Sequence, residues 1–325
     1  MSYDRVARLL SNQQVVVLDG ALGTEVKRRG AKEVDHPDIW STPGLIHFPS
    51  LVLQTHVDYV LAGADVITAG AFRTNRTALR KAGLEDLSRP LTHLAVNLAN
   101  EVKRKLYLHR GFEICVAGNI TAVEDCYSPG RSPGEGASDE HSEKALFLAE
   151  AGCDLILIES MPTIIEGICA VKAARAVCKP VWLSFILMNQ CHPPQLLDGT
   201  EVVDIPRLLD EANALPDALL FNCSWPDVIS DALVHLKEHL NGLAMPMGAY
   251  ANVERQVDPC GPWARMTEVS PQAYAAFAAQ WARLGAQIIG GCCGTTPDDI
   301  RSIKQAVGGR AHVVVAKPDL SLGHS

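Results

Sequence analysis

The chain has 325 residues, 47% hydrophobic and 20% charged, with a formal net charge of −8, a balance that argues against nucleic-acid and anionic-membrane partners. No apolar run is long enough to span a bilayer, and Met1-Ser2-Tyr3-Asp4-Arg5 lacks the apolar core of a signal peptide. The 10 cysteines are scattered and mostly sit in apolar stretches, which reads as a reducing, cytoplasmic setting where closely placed cysteines bind metal or do catalysis.

A short helix around Val6, Leu9 and Leu10 precedes a first apolar strand over 15–18, which runs into Asp19-Gly20-Ala21-Leu22-Gly23-Thr24. A helix over 50–62 leads to a second strand over 64–69. Helical patterns over 74–82 and 91–109 precede a third strand, 113–119, and then a Gly/Pro/Ser-rich loop over 121–138. Loops of that length inside a domain are often functional. Next come a helix over 142–151, a fourth strand over 154–159, a helix over 163–177, a fifth strand over 180–185 and a loop over 188–198. A helix over 206–214, a sixth strand over 218–223, a helix over 228–240 and a seventh strand over 243–250 follow. Pro246 is awkward inside a central strand. A loop to about 269, a helix over 271–284 and an eighth strand over 286–290 complete the pattern.

Eight short apolar strands alternating with helices fit an α/β fold, a single-domain (β/α)8 TIM barrel over 1–325. Strands covered on both faces need apolar runs rather than alternation. A doubly wound open sheet is the alternative, but no Gly-x-Gly-x-x-Gly follows any strand. No internal repeat is evident, and 316–325 reads as a loose terminus.

In a barrel the active face is built from the residues that close each strand. Here these are Asp19, Thr68, Asn119, Glu159, Ser184, Asn222-Cys223, Tyr250 and Cys292-Cys293. The adjacent thiols of Cys292 and Cys293 meet one metal only if the strand ends and the backbone turns, since neighbours in a strand point oppositely. Gly290, Gly291 and Gly294 allow that turn through positive φ. Thr296 is the expected N-cap of the next helix, with Pro297 at its first position. Cys223 supplies a third sulfur from the sixth strand. Three thiolates suit tetrahedral Zn²⁺ with its fourth position open. Their charges sum to −1, so the site is a poor Lewis acid for water or carbonyls. It still holds an incoming thiol as thiolate, which favours attack of a substrate sulfur on an activated alkyl group.

Four stretches resemble the homocysteine S-methyltransferase family: Leu18-Asp19-Gly20-Ala21-Leu22-Gly23-Thr24, Leu157-Ile158-Glu159, Asn222-Cys223 and Gly290-Gly291-Cys292-Cys293-Gly294-Thr295. That family includes S-methylmethionine-dependent and betaine-dependent enzymes and the homocysteine module of cobalamin-dependent methionine synthase. The resemblance implies zinc on Cys223, Cys292 and Cys293, with homocysteine thiolate at the fourth position. It implies that Asp19 and Glu159 hold the substrate's amino group. It places the substrate carboxylate against backbone amides after the second strand, here Thr68, Gly70 and Ala71. The stretch Thr68-Ala69-Gly70-Ala71-Phe72 departs from the Thr-Asn-Thr-Phe pattern of several members. With no cobalamin or folate module, the resemblance implies small-molecule partners only. S-methylmethionine is the favoured donor, with betaine, S-adenosylmethionine and another thiol or selenol acceptor as alternatives. The oligomeric state is left open.

Blander readings apply to the remaining residues. Cys115, Cys153, Cys169 and Cys178 read as small core residues. Cys126, Cys191 and Cys260 read as exposed thiols on loops, and Cys191-His192 as a pair without metal. Trp40, Phe72 and Trp225 read as packing, with cation–π contact to an onium donor as the functional alternative. Asn222 is a candidate substrate-binding residue, with support of its loop as the stronger reading. Tyr250 and Asn252 stand evenly between packing and the zinc's open side, and Asp19 could merely tie down its turn. Of other function classes, a metal or redox sensor with a vicinal disulfide is the runner-up. A zinc hydrolase is disfavoured by the three thiolates.

Overall fold

The eight expected strands all form in the computed structural model, which describes residues 2–110, 113–240, 245–256 and 263–308. They are β1 (Val16–Val17), β2 (Val66–Thr68), β3 (Cys115–Thr121), β4 (Leu155–Met161), β5 (Val181–Phe185), β6 (Ala218–Asn222), β7 (Met247–Ala251) and β8 (Ala286–Gly291). Each is parallel to its neighbour, in sequential order, and β1 pairs back onto β8 through Val16↔Ile288 and Val17↔Ile289. The remaining seam closes through a parallel bridge, Leu18↔Val66, and the Asp19 N–H donates to the Val66 carbonyl at 3.0 Å. A closed cylinder replaces the doubly wound alternative. Pro246 lies just before β7, where its carbonyl accepts from the Leu219 N–H at 3.0 Å, so its missing N–H breaks no ladder bond. Part of the predicted seventh strand (243–244), Cys260 and 316–325 lie outside the described residues.

Two apolar layers hold the barrel. Period-two residues of the strands fill its lumen: Val16 and Leu18, Cys115 and Ala117, Leu155 and Leu157, Ala218 and Leu220. Trp182 is fully buried there, and the first helix (Ser2–Ser11) closes the floor with Tyr3, Val6, Leu9 and Leu10. The other faces of the strands pack on the helices through Val17, Ile67, Val116, Ile156, Ile158 and Phe221. Among the described residues no helix is long and apolar enough to cross a membrane.

One local device recurs at the floor, although no internal repeat was evident in the sequence. Asp65, Asp154 and Asp217 each precede a strand. Each carboxylate accepts from a backbone N–H of the preceding strand: Val17 at 3.0 Å, Val116 at 2.8 Å and Val181 at 2.7 Å. The backbone N–H of each aspartate returns a bond to the carbonyl of that same residue. Each carboxylate also meets a cation: Arg5 and Lys304, Lys103, and Arg175. Charge-assisted bonds of this kind are about twice as strong as neutral ones. The device pins strand pairs at the end of a barrel that carries stability rather than chemistry.

Besides short 3-10 turns, the α-helices Leu22–Arg28 and Thr42–His47 and a hairpin of Glu254–Gln256 with Trp263–Arg265 lay beyond the sequence reading. The helices are 7 and 6 residues long, too short for a helical period to show.

Candidate active site

The chain turns as soon as β8 ends. Cys292 N–H donates to the Ala251 carbonyl at 2.9 Å, and Thr295 returns both its N–H and its hydroxyl to the Cys292 carbonyl at 3.0 and 2.7 Å. Cys293 N–H donates to Asn252 Oδ1 at 3.0 Å. Of the three glycines expected to adopt positive φ, Gly294 does so, at 82°. Gly290 and Gly291 stay in the strand, and their requirement is space: a Cβ on Gly290 would stand 2.5 Å from Leu18 Cβ, and one on Gly291 would run into Thr295 Oγ1. We expect Gly291→Ala to cost about 1–3 kcal/mol, the range for overpacking. A denaturant midpoint unchanged from wild type would contradict this. Thr296 is the expected N-cap and Pro297 opens the helix Pro297–Val307 as expected; Asp299 completes a capping box that the sequence reading did not include.

Cys223 follows β6 in the left-handed region, at φ 51°, uncommon for a residue with a Cβ. This turn brings its Sγ to 3.1 Å from Cys292 Sγ. All three sulfurs of Cys223, Cys292 and Cys293 lie within 4.8 Å of one another. Asn222 holds the arrangement from beneath. Its Nδ2 donates to Ser160 Oγ at 2.8 Å and Cys223 Sγ at 3.3 Å, and its Oδ1 accepts from Ser160 N and Ser184 Oγ at 3.0 and 2.8 Å. Bonds from the Cys223 and Cys293 thiols pull the Cys292 thiol well below its ordinary range. The Cys223 and Cys293 thiols are pushed well above theirs in turn. Tetrahedral zinc with bonds of about 2.3 Å sets sulfurs about 3.8 Å apart. Spreading Cys223 and Cys292 from 3.1 Å by about 0.7 Å admits the ion, so the donor set fits zinc.

Two buried carboxylates close the same barrel mouth. Asp19 Oδ2 accepts from Thr68 N–H at 2.8 Å, and its Oδ1 accepts from the Thr68 hydroxyl at 3.1 Å. Glu159 Oε1 accepts from Asn119 Nδ2 at 2.8 Å, and Tyr250 OH stands 3.5 Å from Oε2. Burial pushes Asp19 up to about 7 and Glu159 up to about 8. Carboxylates so deeply buried are costly to ionise.

The family model for homocysteine S-methyltransferase matches residues 16–307. The homocysteine S-methyltransferase of Escherichia coli is 31% identical over 318 residues, covering 91% of this chain and 96% of that protein. The selenocysteine methyltransferase of Astragalus bisulcatus is 26% identical, covering 89% of this chain and 91% of that protein. The metallated form of the E. coli homocysteine methyltransferase MmuM superposes with a TM-score of 0.76 at 28% identity, covering 92% of this chain and 98% of that one. The chain belongs to the homocysteine S-methyltransferase family.

In this family member the sulfurs and carboxylates share one cavity of about 910 Å³, lined also by Trp40, Phe72, Tyr127 and Trp263. Trp40 and Phe72 thus reach the pocket, whereas Trp225 is absent from its lining and precedes the helix Pro226–His239. Cys126 is buried on the cavity wall rather than exposed. Cys115, Cys153 and Cys169 are buried as expected, but Cys178 is exposed. Asn252 ties loops together: besides Cys293 N–H, it reaches Tyr127 OH at 3.1 Å.

The segment after β2 is partly committed. The N–H of Thr68 is taken by Asp19, that of Ala69 by the Ala117 carbonyl, and that of Ala71 by Asn119 Oδ1 at 3.2 Å. The N–H groups of Gly70 and Phe72, on the cavity wall, have no partner among the described residues. Lys144 lies beneath this segment, buried, donating to the Ala71 carbonyl at 2.9 Å, to Thr92 Oγ1 at 3.1 Å and to the Thr74 hydroxyl. Burial lowers its amine to about 7. Nothing in the sequence marks Lys144 from other helical lysines. Tyr127 and Trp263, whose ring centroids lie 5.7 Å apart, were missed because the loop and hairpin that carry them show no periodicity.

Proposed function

We propose that the chain transfers a methyl group from a small onium donor, S-methylmethionine first, to the thiolate of L-homocysteine, giving methionine. The observation that carries this reading is the meeting of three sulfurs and two buried carboxylates in one cavity. Cys223, Cys292 and Cys293 would hold zinc, whose contribution is to keep an incoming thiol deprotonated at neutral pH. Asp19 and Glu159 receive the α-ammonium, which supplies the positive charge that their burial otherwise withholds. The free N–H groups of Gly70 and Phe72 are suited to the α-carboxylate. That assignment moves the carboxylate contact off Thr68 and Ala71, whose N–H groups are engaged, and keeps Gly70. Asn222 acts on the sulfurs rather than on substrate.

With the amino acid so anchored, its sulfur is aimed along one line. It attacks the donor methyl as the donor's C–S⁺ bond breaks, and the donor leaves as a neutral thioether. Trp40, Phe72 and Trp263 line the cavity that would take the onium donor. Lys27 and Arg73 already stand over the Trp40 and Phe72 rings, at 5.9 and 5.4 Å from their centroids, which leaves Trp263 as the ring for cation–π contact. Similarity to the E. coli homocysteine S-methyltransferase supports the acceptor. Similarity to a selenocysteine methyltransferase supports a second reading, with a selenol as acceptor. A reducing, cytoplasmic setting accords with the free thiols.

The test is metal analysis with parallel assays of S-methylmethionine, betaine and S-adenosylmethionine against homocysteine and selenocysteine. We expect near-stoichiometric zinc and the highest kcat/KM for S-methylmethionine with homocysteine. Full activity of a zinc-free preparation sinks the zinc assignment. Redox-dependent zinc loss with no turnover on any donor transfers the chain to the sensor class.

A further inference from the structure

We propose that His192, Asp231 and His235 form a second metal site, for a borderline divalent cation such as Zn²⁺, on the protein surface. Asp231 and His235 lie one turn apart on the helix Pro226–His239, so their side chains share a face. His192 comes from the loop after β5. The Asp231 carboxylate stands between the two imidazoles, 3.2 Å from His192 Nδ1 and 3.5 Å from His235 Nδ1. The rings meet nearly edge-on, centroids 5.6 Å apart at 81°. One ligand atom from each residue lies within 4.8 Å of the others.

Two imidazoles and a carboxylate suit Zn²⁺, Ni²⁺ or Cu²⁺ far better than Mg²⁺ or Ca²⁺, which take oxygen. Bonds of about 2.0–2.1 Å require the ligand atoms to draw to about 3.4 Å apart. His192 is 77% exposed and Asp231 40%, so both side chains have room to make that adjustment and water has access to the remaining positions. The site shares no residue with the thiol cluster, and its donors are harder. Its place in the fold gives it a task. The loop after β5 is held to the chain beyond Cys223 by Leu187 N–H donating to Ser224 Oγ at 2.8 Å. The same loop packs Leu197 against the buried cluster of Ala122, Cys126, Ile186 and Cys223. A cation bridging His192 to the helix would pin that loop, and so Leu197, against the cluster that contains Cys223.

The test is a Co²⁺ titration of the full chain after chelator treatment. We expect two equivalents bound, one giving sulfur-to-metal charge-transfer absorption and one without it. His192→Ala, at an exposed loop position, should weaken the second equivalent at least tenfold while leaving the charge-transfer band intact. Asp231→Asn should do the same. A wild-type chain that binds a single equivalent overturns the proposal, as does a His192→Ala chain that still binds two with unchanged affinity.

Discussion

Cys292→Ser should lose bound zinc and lower kcat/KM for methyl transfer by more than a hundredfold, with the fold intact. Cys292 Sγ stands 3.1 Å from Cys223 Sγ and within 4.8 Å of Cys293 Sγ, and its carbonyl, not its side chain, anchors the turn through Thr295. Serine keeps the backbone and removes the soft donor that zinc selects. Removing a group that merely orients a ligand typically costs 10–100-fold, and loss of the ligand itself should exceed that. Asn222→Ala supplies the comparison, because it leaves three sulfurs but strips the bonds that hold Cys223. It should fall within the 10–100-fold range. Zinc content, circular dichroism and turnover measured on the same samples decide the matter. A zinc-free Cys292→Ser enzyme with near-normal turnover would falsify the metal assignment.

Glu159→Gln should separate activity from stability. Loss of a charged partner for the ammonium removes about 1.5–3 kcal/mol, which is roughly 10- to 150-fold in kcat/KM for homocysteine. The metal-free protein should respond in the opposite sense. Burial, then the neighbouring Cys292 charge, raises the Glu159 carboxyl from 4.5 to about 8 on folding. The folded chain therefore binds this proton more tightly than the unfolded chain, and stability drains away as pH rises from about 4.5 to about 8. At pH 7 the penalty is about 3 kcal/mol, taking about 1.4 kcal/mol per pH unit. Glutamine carries no such penalty. The variant should melt above wild type at pH 8, with the gap closing toward pH 4.5. A wild-type melting temperature equal to that of Glu159→Gln at pH 8 would show that the carboxylate is compensated before substrate arrives.

The barrel was legible because its strands are apolar runs and its helices are long. The thiol site was legible because adjacent cysteines between glycines at a strand end have few structural explanations. What stayed hidden depends on contacts remote along the chain. Gly291 looks like a hinge in sequence and proves to be a gap-keeper for Thr295. Lys144 sits at an ordinary helical spacing, and only the fold puts it under the Ala71 carbonyl. Cys178 was placed in the core by its apolar neighbours, yet it follows the helix Ile164–Arg175 with φ 54° and faces solvent. Trp263 lies on a strand with exposed neighbours and no apolar pattern. The floor aspartates escaped because a single Asp before a strand reads as an ordinary turn residue.

The seam between β1 and β2 is the weakest hoop of the cylinder, a two-residue strand joined by one bridge. Two aspartates rivet it: Asp65 from below, through Val17, and Asp19 from above, through Thr68. The upper rivet is also the group assigned to greet the ligand's ammonium. Loading the pocket and tightening the hoop thus become one act. Amide exchange at Val66–Thr68 should slow when homocysteine binds. Any descendant that traded this substrate for an uncharged one would still need an acid at position 19 to stay round.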